Sequence, residues 1–358
     1  MPWPFLRAKP AGWVNNDVPT HSELNLMDEQ IAQAADGATW SDVAAIATLP
    51  HAFTNSAGGR FALWNPVLRK FFSFNVSSGD PLGWRSNNPF ETLTSLTLPT
   101  TPGCDITDVA VNPSTGNMIV VGHLYSSSQG RVRQSTDGVT WTTRNTAKSA
   151  SVLGPSSCLY CGGSINKFFL GFGASGGGAG EIESSPDGIT WTNLTVPNTF
   201  ERKTPAFSPT LNRILWARET SGTYVTSDDG VSWTQRTAPW GGCSLATWNS
   251  HFGKFFIFDN TSGTFGMWSS PDGISWSTVI PLTGFSSGGT HGTRLFSRGR
   301  LMGLTLGSEL VVSVDQFANT VRVAELSGSA HAIALGDYQL LLANPANGKH
   351  WVSQRIGL

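Results

Sequence analysis

One seven-residue string constrains this chain more than anything else in it, because it recurs. Ser135-Thr-Asp137-Gly138-Val-Thr-Trp141 returns as Ser185-Pro-Asp187-Gly188-Ile-Thr-Trp191, as Ser227-Asp-Asp229-Gly230-Val-Ser-Trp233 and as Ser270-Pro-Asp272-Gly273-Ile-Ser-Trp276. The tryptophans stand 42–50 residues apart. Weaker marks extend the series: Asp36-Gly37 with Trp40, Ser86 with Phe90, Ser313 and Asp315 with Phe317, and Asn347-Gly348 with Trp351. Ser, Asp and Gly build a tight turn, in which the carboxylate accepts backbone N–H bonds and Gly takes the positive-φ position. The Trp then packs back over the turn as a plug. Apolar runs precede the marks: Lys167–Phe172, Arg213–Ala217 and Lys254–Phe258. They read as central strands buried on both faces. A unit of this length holding about four short strands is a propeller blade. The expectation is an all-β, seven-bladed β-propeller of four-stranded antiparallel blades over residues 36–358, with six or eight blades as alternatives. Marks near 37 and 348 imply closure by strands from both chain ends.

Composition narrows the function classes. Charged residues are 13% of the 358, with a formal net charge of -1. No field exists to hold nucleic acid, and Lys and Glu are too few for long solvent-facing helices. The 14 Trp and 20 Phe need a core, which argues against disorder. No run of 18 apolar residues predicts a membrane span.

The first 35 residues read separately. Prolines at 2, 4 and 10 and the lack of an apolar core argue against a signal peptide. Thr20 and Glu23 have capping-box form, and Leu24, Met27 and Ile31 recur at helical spacing, so a helix is expected over about 21–35. It packs on its own domain, or residues 1–35 form an arm anchored to a neighbouring subunit by Trp3, Phe5, Trp13, Leu24, Met27 and Ile31. Of Cys104, Cys158, Cys161 and Cys243, the pair at 158 and 161 forms a lone CxxC. Buried thiols, a zinc site and a redox pair are the readings open to it. No cofactor or metal is expected.

The recurring units resemble Asp-box repeats, also called BNR repeats, of general form Ser-x-Asp-x-Gly-x-Thr-Trp. On that spacing the third copy runs from Thr226 through Asp228 and Gly230 to Trp233. The resemblance gives structural turn residues: Asp137, Gly138 and Trp141; Asp187, Gly188 and Trp191; Asp228, Gly230 and Trp233; Asp272, Gly273 and Trp276. It implies a propeller rather than a chemistry. Asp-box proteins include sialidases, whose Arg-Ile-Pro tripeptide is absent here, and only four Tyr are present. Arg131 with Arg133, Arg218 with Glu219, and Arg294, Arg298 and Arg300 are channel candidates or solvated strand ends. Glu181 and Glu183 are a carboxylate pair or a charged edge. Seven His are spread almost one per blade, several of them near expected inner strands.

The segment from Val18 to Gly37 is similar to the openings of tailed-phage virion proteins. That resemblance implies a bacteriophage tail, nozzle or fibre component, not an enzyme. It would bind other virion proteins through residues 1–35, form a homo-oligomer within the virion, and use the propeller as a platform or as a contact to a host-surface glycan or protein. The competing class is a glycan-binding or divergent glycosidase propeller, and a third is an assembly factor docking on a protein complex.

Overall fold

The computed structural model of the chain describes residues 45–48, 61–76, 81–86, 94–98, 104–124, 130–147, 154–172, 182–197, 202–218, 222–241, 243–259, 265–277, 279–282, 294–298, 301–306, 309–313, 315–318, 321–325, 332–335, 340–344 and 349–352. The expected helix over 21–35, the arm with Trp3, Phe5, Trp13, Leu24, Met27 and Ile31, and the mark at 36–40 lie outside them.

Apolar residues on both pleats of a strand decide the architecture. Lys167–Phe172 carries Phe168, Phe169, Leu170 and Phe172, all buried. Successive side chains point to opposite faces of a strand. Accordingly Phe168, Leu170 and Phe172 pack with Ile119, Val121 and Val132, while Phe169 packs with Ile214, Trp216 and Val225 on the other side. Lys254–Asp259 divides in the same way, Phe255 and Ile257 against one neighbour and Phe256 and Phe258 against the other. A sheet with two apolar faces must have a sheet on each side.

The described strands form seven four-stranded antiparallel sheets. Sheets 1 to 6 are continuous in sequence, over 61–97, 104–145, 155–194, 202–237, 243–281 and 294–325. Sheet 7 joins Ala332–Leu335, Leu340–Asn344 and Lys349–Val352 to Ala45–Thr48, which pairs with Lys349–Val352 at the sheet edge. The first strands of successive sheets are neighbours, and Ala332–Leu335 of sheet 7 lies beside Phe61–Asn65 of sheet 1. The result is an all-β, propeller-like architecture. Its cores lie between sheets: five buried clusters fill the gaps from sheets 1 and 2 through sheets 5 and 6.

Each repeat tryptophan belongs to such a gap. Trp141 meets Phe74 of sheet 1 edge-on at 5.7 Å, and Trp233 meets Phe169 and Trp216, each at 6.3 Å. Trp276 meets Trp240 edge-on at 4.6 Å. Close approach also fixes Gly171, where a Cβ would stand 2.5 Å from the Trp216 ring. Trp191 is buried between sheets 2 and 3. Its replacement by Ala should therefore cost about 3–5 kcal/mol in a urea-denaturation series. A loss of under about 1 kcal/mol would show that the plug carries no packing.

Candidate functional site

The two ends of the sheets are built differently, and the contrast locates the candidate site. At one end the first strand turns into the second and the third into the fourth. The recurring string makes the third-to-fourth corner in sheets 2 to 5. In sheet 2 the Ser135 hydroxyl donates to Asp137 Oδ1 at 3.0 Å and accepts the Gly138 N–H at 2.9 Å. Asp137 Oδ1 then accepts the N–H groups of Val139 and Thr140 at 2.8 and 2.7 Å. Ser185 with Asp187, and Ser270 with Asp272, repeat this set. Gly138, Gly188, Gly230 and Gly273 have positive φ, and a Cβ on Gly138 would stand 2.4 Å from the Phe72 ring of the preceding sheet.

One assignment needs correction. In the third copy the bonds are made by Asp229, which takes the Ser227 hydroxyl and the N–H groups of Val231 and Ser232. Asp228 instead holds Arg213 through two bonds of 2.6 and 2.7 Å. Matching to the general Asp-box spacing misplaced the residue; the loop admits only a carboxylate two positions after the serine. Sheet 6 varies the theme: Ser313 and Asp315 make the turn, but Phe317 N–H bonds Ser313, and Gln316 and Phe317 both take positive φ. Phe317 is still buried between sheets 5 and 6. The mark ending in Trp351 is not such a corner, because Trp351 lies within a strand, opposite Leu342 and Ala45.

A second recurring corner, between first and second strands, escaped the sequence reading. Asn65-Pro-Val-Leu-Arg69-Lys70, Asn112-Pro-Ser-Thr-Gly116-Asn117, Ser208-Pro-Thr-Leu-Asn212-Arg213 and Asn249-Ser-His-Phe-Gly253-Lys254 follow one plan. The opening side chain accepts N–H bonds two or three residues on, and the fifth residue has positive φ. The sixth residue reaches across a gap: Asn117 donates to Asp187 O, Arg213 to Asp272 O, and Lys254 to Gln316. Just before this corner stand Trp64, Tyr160, Phe207 and Trp248, half-buried at equivalent register positions. Trp64, Tyr160 and Trp248 rest on Phe71, Phe168 and Phe255 at 4.6–5.0 Å. This end is committed to folding.

The opposite end is not. There the first strands of sheets 2, 3, 4 and 5 each carry a bulge near their start, at 106–108, 155–157, 202–205 and 243–245. The extra residues are Thr107, Ser156, one within Lys203–Thr204, and Ser244. Thr107 donates to Pro155 O of the next sheet, and Ser156 to Gly171 O at 3.2 Å. The register beside the bulges sets Asp105 opposite His123, and Arg202 opposite Arg218. The connections at this end also vary most in length, among them 146–154, 173–181 and 282–293. Bulges re-aim a strand beside functional sites, and variable loops carry binding.

Other candidates resolve into structure. Arg133 and Glu183 are wholly buried on third strands, and Glu183 accepts the Ala147 N–H at 3.0 Å, so neither is a channel residue or a solvated edge. Glu181, Glu219 and Arg300 lie outside the described residues, as do His21, His51, His291 and His331. Arg131 is the second residue of a third strand, and Arg294 and Arg298 stand at the two ends of a first strand. His251 is exposed in a corner against Phe252 rather than on an inner strand. Cys158 and Cys161 enter different gaps and are free thiols. Burial raises both thiol pKa values, Cys158 further through the Asp108 carboxylate, whose Oδ2 accepts the Cys158 N–H. Among the described residues no group of three His, Cys, Asp or Glu is placed to hold a metal, and no helix is long and apolar enough to cross a membrane.

No family model and no curated protein sequence matches the chain. Solved structures match it in fold. A virginiamycin B lyase from Staphylococcus aureus aligns with TM-score 0.65 at 11% identity, over 85% of this chain and 97% of that one. The GH74 xyloglucanase from Xanthomonas campestris aligns with TM-score 0.62 at 13% identity, over 86% of this chain and 53% of that one. YCF48 bound to D1 peptide aligns with TM-score 0.57 at 13% identity, over 84% and 96%. At such identities the likeness carries the fold alone. It does not carry an Asp-box or phage relationship. The expectation of a bacteriophage component, located in the virion and bound to other virion proteins, is corrected by these neighbours, none of which is a particle protein. The expectation of a non-enzyme is corrected with it, since the lyase and the xyloglucanase are enzymes on this architecture.

The turn carboxylates generate a pH dependence. Burial alone would raise the Asp137 pKa, but bonds from Val139, Thr140 and Ser135 outweigh it and hold it at about 2, against 3.8 ordinarily. Asp229 stands at about 2 for the same reason, and Asp187 and Asp272 are lowered likewise. A depressed folded-state pKa gives stability that is present above the unfolded value and is lost as pH falls through the folded one. Urea midpoints should thus fall between about pH 4 and pH 2, and the D137N/D229N variant should show a shallower fall from a lower start. Parallel curves would refute the assignment.

Proposed function

We propose that the seven sheets are the blades of a closed β-propeller that binds carbohydrate, with glycoside hydrolysis as the reaction class to test. The ligand end is the one opposite the Asp turns. The observation that supports this reading is the row of bulges at one level of four consecutive first strands, with Thr107, Ser156 and Ser244 at the extra positions. A sugar is recognised by many neutral hydrogen bonds, and a chain with 13% charged residues offers hydroxyls and backbone groups for them. The register that sets Arg202 opposite Arg218 makes a carboxylate or sulfate substituent the charged variant to test. The fold shared with a xyloglucanase is consistent with such a ligand.

The test is a glycan array followed by calorimetry on neutral and uronate-bearing oligosaccharides. Ser244→Leu and Arg202→Ala should each weaken binding about tenfold or more, equivalent to about 1.4 kcal/mol, at unchanged thermal midpoint. Release of reducing ends from the bound oligosaccharide would establish hydrolysis. Absence of any bound glycan at millimolar concentration, or unchanged affinity in both variants, would overturn the reading.

A further inference from the structure

The Asp turns carry a feature their folding role does not use. The residue after the turn glycine is Val139, Ile189, Val231 and Ile274 in sheets 2 to 5. Its N–H bonds the turn carboxylate, a service any residue except proline supplies. Yet the residue is aliphatic and β-branched every time, and its side chain faces outward. With Val67 and Leu211 of the first corners, these four are the exposed large hydrophobics among the described residues, at 38–55% exposure. All six stand on one end of the sheets. Single exposed aliphatics are ordinary, but six confined to one end mark a contact surface.

The course of the chain indicates what covers it. Ala45–Thr48 is antiparallel to Lys349–Val352, with Ala45 opposite Trp351 and Thr48 opposite Lys349. Lys349–Val352 is the third strand of its sheet and runs towards the turn end, as the third strands of sheets 2 to 5 do. Ala45–Thr48 therefore starts at the turn end. The chain before it is delivered to the same end as the aliphatic tips, and it holds Trp3, Phe5, Leu6, Trp13 and Val14. These side chains are costly to leave in water. We propose that residues 1–35 dock on the aliphatic tips of the chain's own turn end, as a cap on the face opposite the ligand mouth.

The tips are exposed, so they can be changed without emptying a core. The experiment uses the full chain and the V139S/I189S/V231S/I274S variant, with trypsin cleavage after Arg7 and Glu-specific cleavage after Glu23 and Glu29 as readouts. The variant should be cut about tenfold faster at all three sites, at unchanged thermal midpoint, and the wild-type rate should not depend on protein concentration. In a second arm, W3S/F5S/W13S should speed amide exchange at 189–190 and 231–232 about tenfold. Equal cleavage rates and equal exchange would overturn the proposal. Protection that grows with protein concentration would also overturn it, and would assign the face to a second copy of the chain.

Discussion

Everything in this molecule depends on strands that are apolar on both faces. Phe168 and Phe169 are adjacent in sequence, and both are wholly buried, in different gaps. A strand of that kind cannot sit in a two-layer sandwich, where one face of each sheet meets solvent. It needs a sheet on each side, and so does each neighbour. The requirement passes from sheet to sheet until the last meets the first. Ala332–Leu335 beside Phe61–Asn65 is where it is met. The seventh sheet, assembled from both ends of the described chain, follows: the closing sheet is the one place where a ring can join its ends by backbone hydrogen bonds.

The turns solve the next problem, which is register between sheets. A gap filled only by apolar side chains is permissive about sliding, since dispersion contacts have little direction. Asn117, Arg213 and Tyr224 each donate to a carbonyl in the following sheet's Asp turn, at Asp187, Asp272 and Gly273. Those carbonyls are held in place because Ser and Asp have already fixed the loop from inside. The turn thus presents a rigid acceptor, and the preceding sheet supplies the donor. Trp276 extends the chain of bonds by donating its indole N–H to the Tyr224 hydroxyl.

This explains which parts could be read from sequence. The Ser-Asp-Gly-Trp string was legible because its bonds are local, spanning two or three residues, and local chemistry leaves a fixed spacing. The two-faced strands were legible as uninterrupted apolar runs. The Asp228 error arose from two adjacent aspartates, where spacing is ambiguous and only the bond pattern separates Asp229 in the loop from Asp228 on Arg213. The first-to-second corner was missed although its plan repeats, because its opening residue alternates between Asn and Ser and its positive-φ residue among Arg, Asn and Gly. Several side chains meet one backbone demand, so composition hides it. The bulges could not be seen at all. A bulge is a relation between two strands, and nothing at Thr107 or Ser244 distinguishes it from an ordinary strand residue.

The same distinction separates the two ends of the sheets. At the turn end sheets 2 to 5 repeat one solution, since their gaps pose one mechanical problem, and the polar groups of the Asp turns are consumed by it. The other end has no such common task. Its connections differ in length from sheet to sheet, and its first strands are bulged in sheets 2 to 5 but not in sheets 1, 6 and 7. A departure from the repeat shared by four consecutive sheets points to a task other than folding. The aliphatic tips obey the converse logic: they are repeated four times, so they answer something common to the turn end of sheets 2 to 5, and a single covering segment that spans several sheets is such a thing.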